Sequence, residues 1–570
     1  PDFLTKNYRQ LDEDIIIENN DNTKTLYKLK QPNISNNFIP FDGLTTSGSI
    51  SRGVTVGNNQ NSVLNSELDL QITGKLNNKV SLRASIQDAN IPLQESGYSQ
   101  RLDEFDQVFI ELFSDRWNVR AGDIDLVNTN SYFANFSKRV QGLNFNIKLG
   151  EPEAQASLFA AGAIVRGQFT TDQFTAQEGN QGPYKLKGPN NELFVLIVSG
   201  SEVVYVNGVV VKRGEDQDYI IDYNAGEIIF NSTFPITSEM RISVDYQFTE
   251  RNYTRIVGFG GGQYNSKKLD IGVSVYSEND AKNQPLQQNL SEEQVEILAN
   301  AGDDTSKMVA PSEVSEAYNQ NRILYKKEII NGNEVFVFSN NPEDELFRVT
   351  FSLLGENQGD YRLSSINAIN NIYEYVGLNQ GSFAPVIQLV APKELQVAII
   401  NGRYKPSKKT NIFFEASGSK YDQNQFSSID NENNDGFAGK VNINQTIFKQ
   451  ENSWKLDAYA DSDYISTDYR NIEGLYNVEF KRDWNLDQLP GRQISNDFGN
   501  QLLVNSGFSL VHQNKGSINY QYQFLNFSEG FKGNRHITNV NLQLNKFNIS
   551  SNSSFLDTES NTKISTFTRS

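Results

Sequence analysis

The sequence predicts an all-β protein: an antiparallel β-meander, barrel-like or an open curved sheet, with an inserted small β-sandwich and a second inserted element containing one short helix. Three observations predict it. Apolar and polar residues alternate at period two from Asn65 onward, as in strands with one apolar face. Aromatics reach 11%, carried by 36 Phe and 25 Tyr, and Asn, Ser and Gln fill much of the rest, a mixture that favours half-buried sheet. A single convincing helix signature occurs in 570 residues.

Residues 1–43 lack sustained periodicity and read as an extended N-terminal arm. The first meander spans 44–183. Within it Leu68, Leu70, Ile72 and Leu76 alternate with polar neighbours, Asn77-Asn78 breaks the run, and Val80, Leu82, Ala84 and Ile86 resume it, which is a hairpin. Val108 to Leu112 and Trp117 to Ala121 flank a Ser114-Asp115-Arg116 turn, and strands follow at Leu143–Leu149 and Ala154–Ala160. Between 184 and 250 the strands become short and almost continuously apolar, from Leu193–Val198 to Arg241–Phe248. Asn207-Gly208 is a type I′ hairpin signal, because both residues tolerate positive φ. This segment is read as an inserted sandwich.

The meander continues over 251–282 around the Lys267-Lys268 turn. An inserted α+β element follows at 283–393, where Ser291-Glu292-Glu293-Gln294 forms a capping box leading into a helix over 291–300 that Gly302 ends. The long meander of 394–570 still alternates at Lys563–Thr568, and it is expected to continue beyond the chain end.

Composition removes several chemistries. With no Cys and with His512 and His536 as the only histidines, disulfides, thiolate nucleophiles, iron-sulfur clusters and multi-histidine metal sites are out. A net charge of -18 repels a phosphate backbone, so no nucleic-acid partner is expected. No apolar run reaches the ~18–20 residues of a spanning helix, whereas a transmembrane β-barrel needs only weak alternation over about ten residues per strand.

Few residue groups point to a site. Gly258, Gly260, Gly261 and Gly262 continue a strand and lack the helix a phosphate cradle requires, so they are read as allowing a bend or close backbone approach. Asp430, Glu432 and Asp435 before Gly436 are calcium candidates by their hard oxygens, but their spacing misses the EF-hand loop and equally fits a solvated turn. Tyr520, Tyr522 and Phe524 at period two read as a core face of a sheet. No catalytic motif occurs, and neither an enzyme activity nor a cofactor is expected.

Certain segments resemble a known group. Ser49-Ile50-Ser51-Arg52-Gly53, Gly57-Asn58-Asn59-Gln60, the hairpin Leu68–Ile86, Ile91-Pro92-Leu93-Gln94, Ala121-Gly122-Asp123, the stretch Ser201–Phe230 and Phe426–Gly436 are similar to segments of large outer-membrane-associated β proteins of the type 9 secretion system. They span most of residues 45–440. The chain's size and its two insertions look most like the plug family of that system. The resemblance implies a non-catalytic body that occludes the periplasmic mouth of a SprA-type outer-membrane translocon when no substrate is crossing. It also implies a place at the periplasmic face of the outer membrane of a Gram-negative bacterium, membrane contact mainly through that partner, and contact with its accessory subunits. The alternatives are an outer-membrane β-barrel channel and a surface glycan-binding or adhesion protein. Against the barrel, Asn442–Thr446 and Asn548–Ser554 read as polar on much of both faces.

Overall fold

Long alternating runs separated by short polar turns favour antiparallel neighbours, and that pairing dominates the molecule. The computed structural model describes residues 43–569 except 58–59, 91–92, 96–97, 101–106, 152, 166, 189–194, 250–252, 286–289, 367–370, 450–452, 487–498, 545–546 and 561–562. The expected arm at 1–43 therefore lies outside the described residues, apart from Gly43.

Among the described residues eighteen strands form one sheet. The first seven are β1 (Leu44–Gly57), β2 (Gln60–Lys75), β3 (Ser81–Asn90), β4 (Gln107–Phe113), β5 (Trp117–Asn128), β6 (Phe136–Glu151) and β7 (Ala154–Val165). After the first insertion come β8 (Tyr253–Ser266) and β9 (Leu269–Pro285). After the second come β10 (Glu394–Ser407), β11 (Thr410–Asp422), β12 (Asp435–Lys449), β13 (Trp454–Ile465) and β14 (Gln501–His512). The last are β15 (Gly516–Phe527), β16 (Phe531–Leu544), β17 (Phe547–Ser560) and β18 (Lys563–Arg569).

Each strand pairs antiparallel with the next, across both insertions, so the order in space follows the order in sequence. The meander expected from the sequence is thus one sheet rather than three. Its two ends differ. Short links such as Lys267-Lys268 close one end, while the long connections, 166–252, 286–393 and 466–500 among them, leave from the other. The sheet also curls. Ser131 and Tyr132, between β5 and β6, reach Glu415 on β11 and Asp463 on β13, far along the ladder.

The first insertion is a pair of small sheets over one core that includes Leu186, Val204, Ile228, Val244 and Tyr246. Gln168–Thr175 pairs with Arg241–Phe248, so this unit begins at Gln168 and not at 184. Asn207 and Gly208 have φ of 52° and 79°, as the turn signal required. Of the strand expected at Leu193–Val198, a single bridge from Ile197 to Phe248 is present, and residues 193–194 lie outside the described residues.

The second insertion opens with α1 (Glu292–Ala301), whose capping box forms: Gln294 N donates to Ser291 Oγ at 3.2 Å and Ser291 N to Gln294 Oε1 at 3.0 Å. The rest contains two related hairpins, Tyr325–Phe338 and Tyr361–Tyr375, in which Tyr325 pairs with Phe347 as Tyr361 pairs with Phe383. The two exchange equivalent bonds. Phe336 N donates to Tyr361 Oη at 2.7 Å, and Tyr373 N donates to Tyr325 Oη at 3.0 Å.

Candidate functional site

Because side chains alternate across a strand, the pairing register assigns every residue of the large sheet to one of two faces. The outward face is apolar. One row crosses the sheet through Ile72, Ala84, Ile110, Ala121 and Leu143, and another through Leu158, Gly262, Val273, Ile400 and Ala416. Many of these side chains stand exposed, Leu143 at 53% and Val273 at 52%. Aromatics flank the band on both sides: Tyr264, Tyr404, Phe448 and Phe547 toward the short-turn end, and Phe437, Tyr464 and Phe555 toward the other. From Phe437 to Phe448 the chain covers about 36 Å, and at a ~40° tilt this stands roughly 28 Å tall, close to the ~25 Å band of a membrane barrel. Polar groups on this face satisfy one another, Tyr522 Oη donating to Asn534 Oδ1 at 2.7 Å and Tyr520 Oη lying 2.9 Å from His536 Nδ1.

The inward face has two zones. Toward the short turns it is lined by amides, Asn144, Asn146, Gln263, Asn444, Asn519 and Asn541, together with charged groups that include the Arg83–Glu111 pair, Asp270 and Arg403. Among the described residues, the carbonyl oxygens of Asn411, Asn505 and Gln523 on this inward face have no hydrogen-bond partner. Toward the long connections it is apolar, with Ile124, Val140, Val257, Phe259, Tyr276 and Val397 in one cluster and Leu503, Leu525 and Leu556 in another.

Two connections fold back over that apolar zone. Residues 131–134 are held by the Glu415 carboxylate, which accepts from Ser131 Oγ (2.7 Å), Tyr132 N (2.9 Å) and Phe133 N (2.7 Å). Lys440 Nζ lies 3.9 Å from the centre of the Tyr132 ring and 3.0 Å from Asp461. The second is the start of the β13–β14 connection, residues 466–486. It places Ile472 in the first cluster and Phe480, Trp484 and Leu486 in the other, with α2 (Phe480–Asp483) as a single turn. Tyr476 Oη donates to Asp463 Oδ2 at 3.0 Å and accepts from Gln501, while Arg535 binds Asp483 at 3.1 Å.

Electrostatics within this segment are uneven. Burial, reinforced by Asp463, pushes the Tyr476 phenol well up. Burial also pushes the Glu473 carboxyl up to about 7, against the lowering pull of Lys138 and the Ser137 amide, which donates to Oε2 at 3.4 Å. Among the described residues Glu473 Oε1 has no partner. Glu479 behaves oppositely: burial opposes its ionisation, but Arg482 and Arg241 outweigh it and hold the carboxyl low.

Several sequence expectations are revised here. Asn442 and Asn444 point inward while Val441 and Ile443 point outward, so this strand is not polar on both faces; Ser551 and Ser553 do interrupt the outward band on β17. Tyr520, Tyr522 and Phe524 lie on the outward face rather than in a core. Asp430 precedes a short 3-10 turn over Asn431–Asn433 that holds Glu432, and Asp435 pairs with Lys420. Among the described residues no group of three acidic or histidine side chains is arranged to hold a metal. Gly258, Gly260 and Gly262 face outward, and at Gly261 a Cβ would lie 2.3 Å from Val273 O, the close approach expected of this run. Period-two alternation does not mark the inward segment itself. Its mark is Tyr469, Ile472, Tyr476, Phe480 and Trp484, apolar at three- to four-residue spacing where the period of two lapses.

The sandwich matches one family model, a domain of unknown function (DUF8818), over residues 169–250. No curated protein matches the chain. Among solved structures the chain is similar to a loop L8 deletion mutant of OmpT, an outer membrane protein of Vibrio cholerae (7% identity, 85% of this chain and 94% of that one, TM-score 0.26). It is likewise similar to Pseudomonas aeruginosa OpdQ (9%, 92% and 96%, 0.28) and to the outer membrane channel DcaP of Acinetobacter baumannii (9%, 92% and 97%, 0.23).

Proposed function

We propose that this chain forms a non-catalytic outer-membrane β-barrel wall around a hydrated passage, closed in this state by its own connections. The observation that carries the reading is the outward apolar band, matched from strand to strand and flanked by aromatics, over an inward face that is polar toward the short turns. Such a face is unfavourable in water and at home in lipid, where antiparallel pairing also satisfies the backbone. No described helix is long and apolar enough to cross a membrane.

The test is reconstitution of the full chain into lipid vesicles with an environment-sensitive fluorophore at position 443 or 442. The outward Ile443→Cys label is expected to be quenched by bromolipid and the inward Asn442→Cys label by aqueous iodide. Equal quenching of both by iodide, with the protein remaining in the aqueous fraction, overturns the reading.

A second reading, the stopper of a SprA-type translocon at the periplasmic face of the outer membrane, draws on the resemblance of residues 45–440. It asks the outward band to lie against protein instead of lipid. Stable co-purification with such a translocon, together with loss of membrane association in its absence, decides for it.

A further inference from the structure

The turn Asn207-Gly208 lies at the tip of a sandwich hairpin, and the passage does not use it. It rests on the inward segment: a Cβ at Gly208 would lie 2.8 Å from Glu479 Cγ and 3.9 Å from Glu479 Cβ. Beside it Arg241, the first residue of a sandwich strand, binds the Glu479 carboxylate through Nε at 3.2 Å and 3.1 Å and through Nη2 at 3.1 Å. Gln173 Nε2 donates to Val478 O at 3.5 Å, and Gly474 lies against the Phe169 ring. These sandwich contacts fall on residues 474–479, between the two apolar anchors of the segment, Ile472 and Phe480.

The two inward connections are held differently. Residues 131–134 are tied to the wall itself, through three donors on one buried carboxylate, with Phe133 and Ala134 fully enclosed. Residues 474–479 hydrogen-bond to the wall through the single Tyr476 hydroxyl, on Asp463 and Gln501, and are otherwise tied to an inserted domain by a partly exposed ion pair, while the neighbouring Glu473 carboxyl is only half satisfied. A connection bound to the wall alone and a strap shared between wall and sandwich are thereby combined at one mouth.

We propose that residues 467–486 are a displaceable gate and that the sandwich is the latch holding it shut, so that movement of the sandwich away from the mouth opens the passage. The proposal rests on the barrel reading above. The latch is the Arg241–Glu479 pair backed by the Asn207-Gly208 turn, and the gate's own apolar anchors reseat it when the sandwich returns.

The experiment uses the full chain in planar bilayers. Its lack of native cysteine allows a clean cross-link. In the Gly208→Cys/Glu479→Cys variant the 3.9 Å Cβ separation matches the ~3.8 Å mean of a disulfide. Oxidation is expected to hold conductance at the closed level and reduction to raise it. Arg241→Glu is expected to raise open probability about two- to fivefold, the scale of one partly exposed ion pair, and the charge swap Arg241→Glu/Glu479→Arg to restore closure. A further variant with residues 468–484 replaced by a Gly-Ser linker reports the open pore. If that variant conducts while oxidation and Arg241→Glu change nothing, the latch is wrong and the barrel reading stands. If neither it nor any other variant conducts, the barrel reading falls, and the latch with it.

Discussion

At the scale of single residues, two carboxylates inside the sheet have opposite consequences. Glu415 organises a turn, and its removal would leave the amides of Tyr132 and Phe133 unpaired in a buried site, each costing about 1–3 kcal/mol. Glu415→Ala is therefore expected to destabilise the protein by about 3 kcal/mol or more in urea titrations followed by tryptophan fluorescence, and Glu415→Gln by less. Glu473 carries a pH dependence. Its carboxyl is pushed up to about 7 when the segment is docked, so the docked state binds a proton that the free segment, near the ordinary 4.5, releases. Docking is strongest at low pH and weakens as pH rises through about 7, by on the order of 3 kcal/mol at the limit. Lys138 faces this carboxyl and favours its ionised form, while Glu278 and Asp245 oppose it. Between pH 5 and 8 protease sensitivity of residues 467–486 should increase in the wild type, and Glu473→Gln should flatten that change.

At the scale of elements, the faces of one strand make a direct comparison. Ile443→Arg places a charge in the outward band and is expected to cost about 2–4 kcal/mol in a lipid environment, whereas Asn442→Arg, one residue away and inward, should cost little. Urea unfolding in vesicles measures both. The sandwich supplies a second case. Val at position 208 must adopt the positive φ seen there, so Gly208→Val should lower the melting temperature of an isolated 167–249 fragment, and in the full chain it also meets Glu479. Turn chemistry made this hairpin visible in the sequence. The start of the domain was not visible, because Gln168–Thr175 alternates like the meander before it and only its pairing with Arg241–Phe248 assigns it to the sandwich.

At the scale of the molecule, the difference between the two ends predicts an orientation. Membrane barrels keep short turns in the periplasm and send long connections outward. A cysteine replacing Asn331, in the second insertion, is expected to react with an impermeant maleimide on intact cells, and one replacing Lys268 only after the outer membrane is breached. The reverse pattern would put the gate and the sandwich in the periplasm, where the stopper reading expects them.

The sequence by itself determined that the chain is a β-meander with two insertions, where most strands and turns fall, and where the one capped helix begins. Each of these depends on neighbours a few residues apart. Tertiary structure alone decided which face looks where. A strand with apolar residues outward and polar residues inward has the same period as one with the two reversed, so alternation at Val441–Asn444 or Tyr520–Phe524 is silent on the choice. Only the pairing of all eighteen strands, with Ile472, Phe480 and Trp484 packed against one side, distinguishes inside from outside.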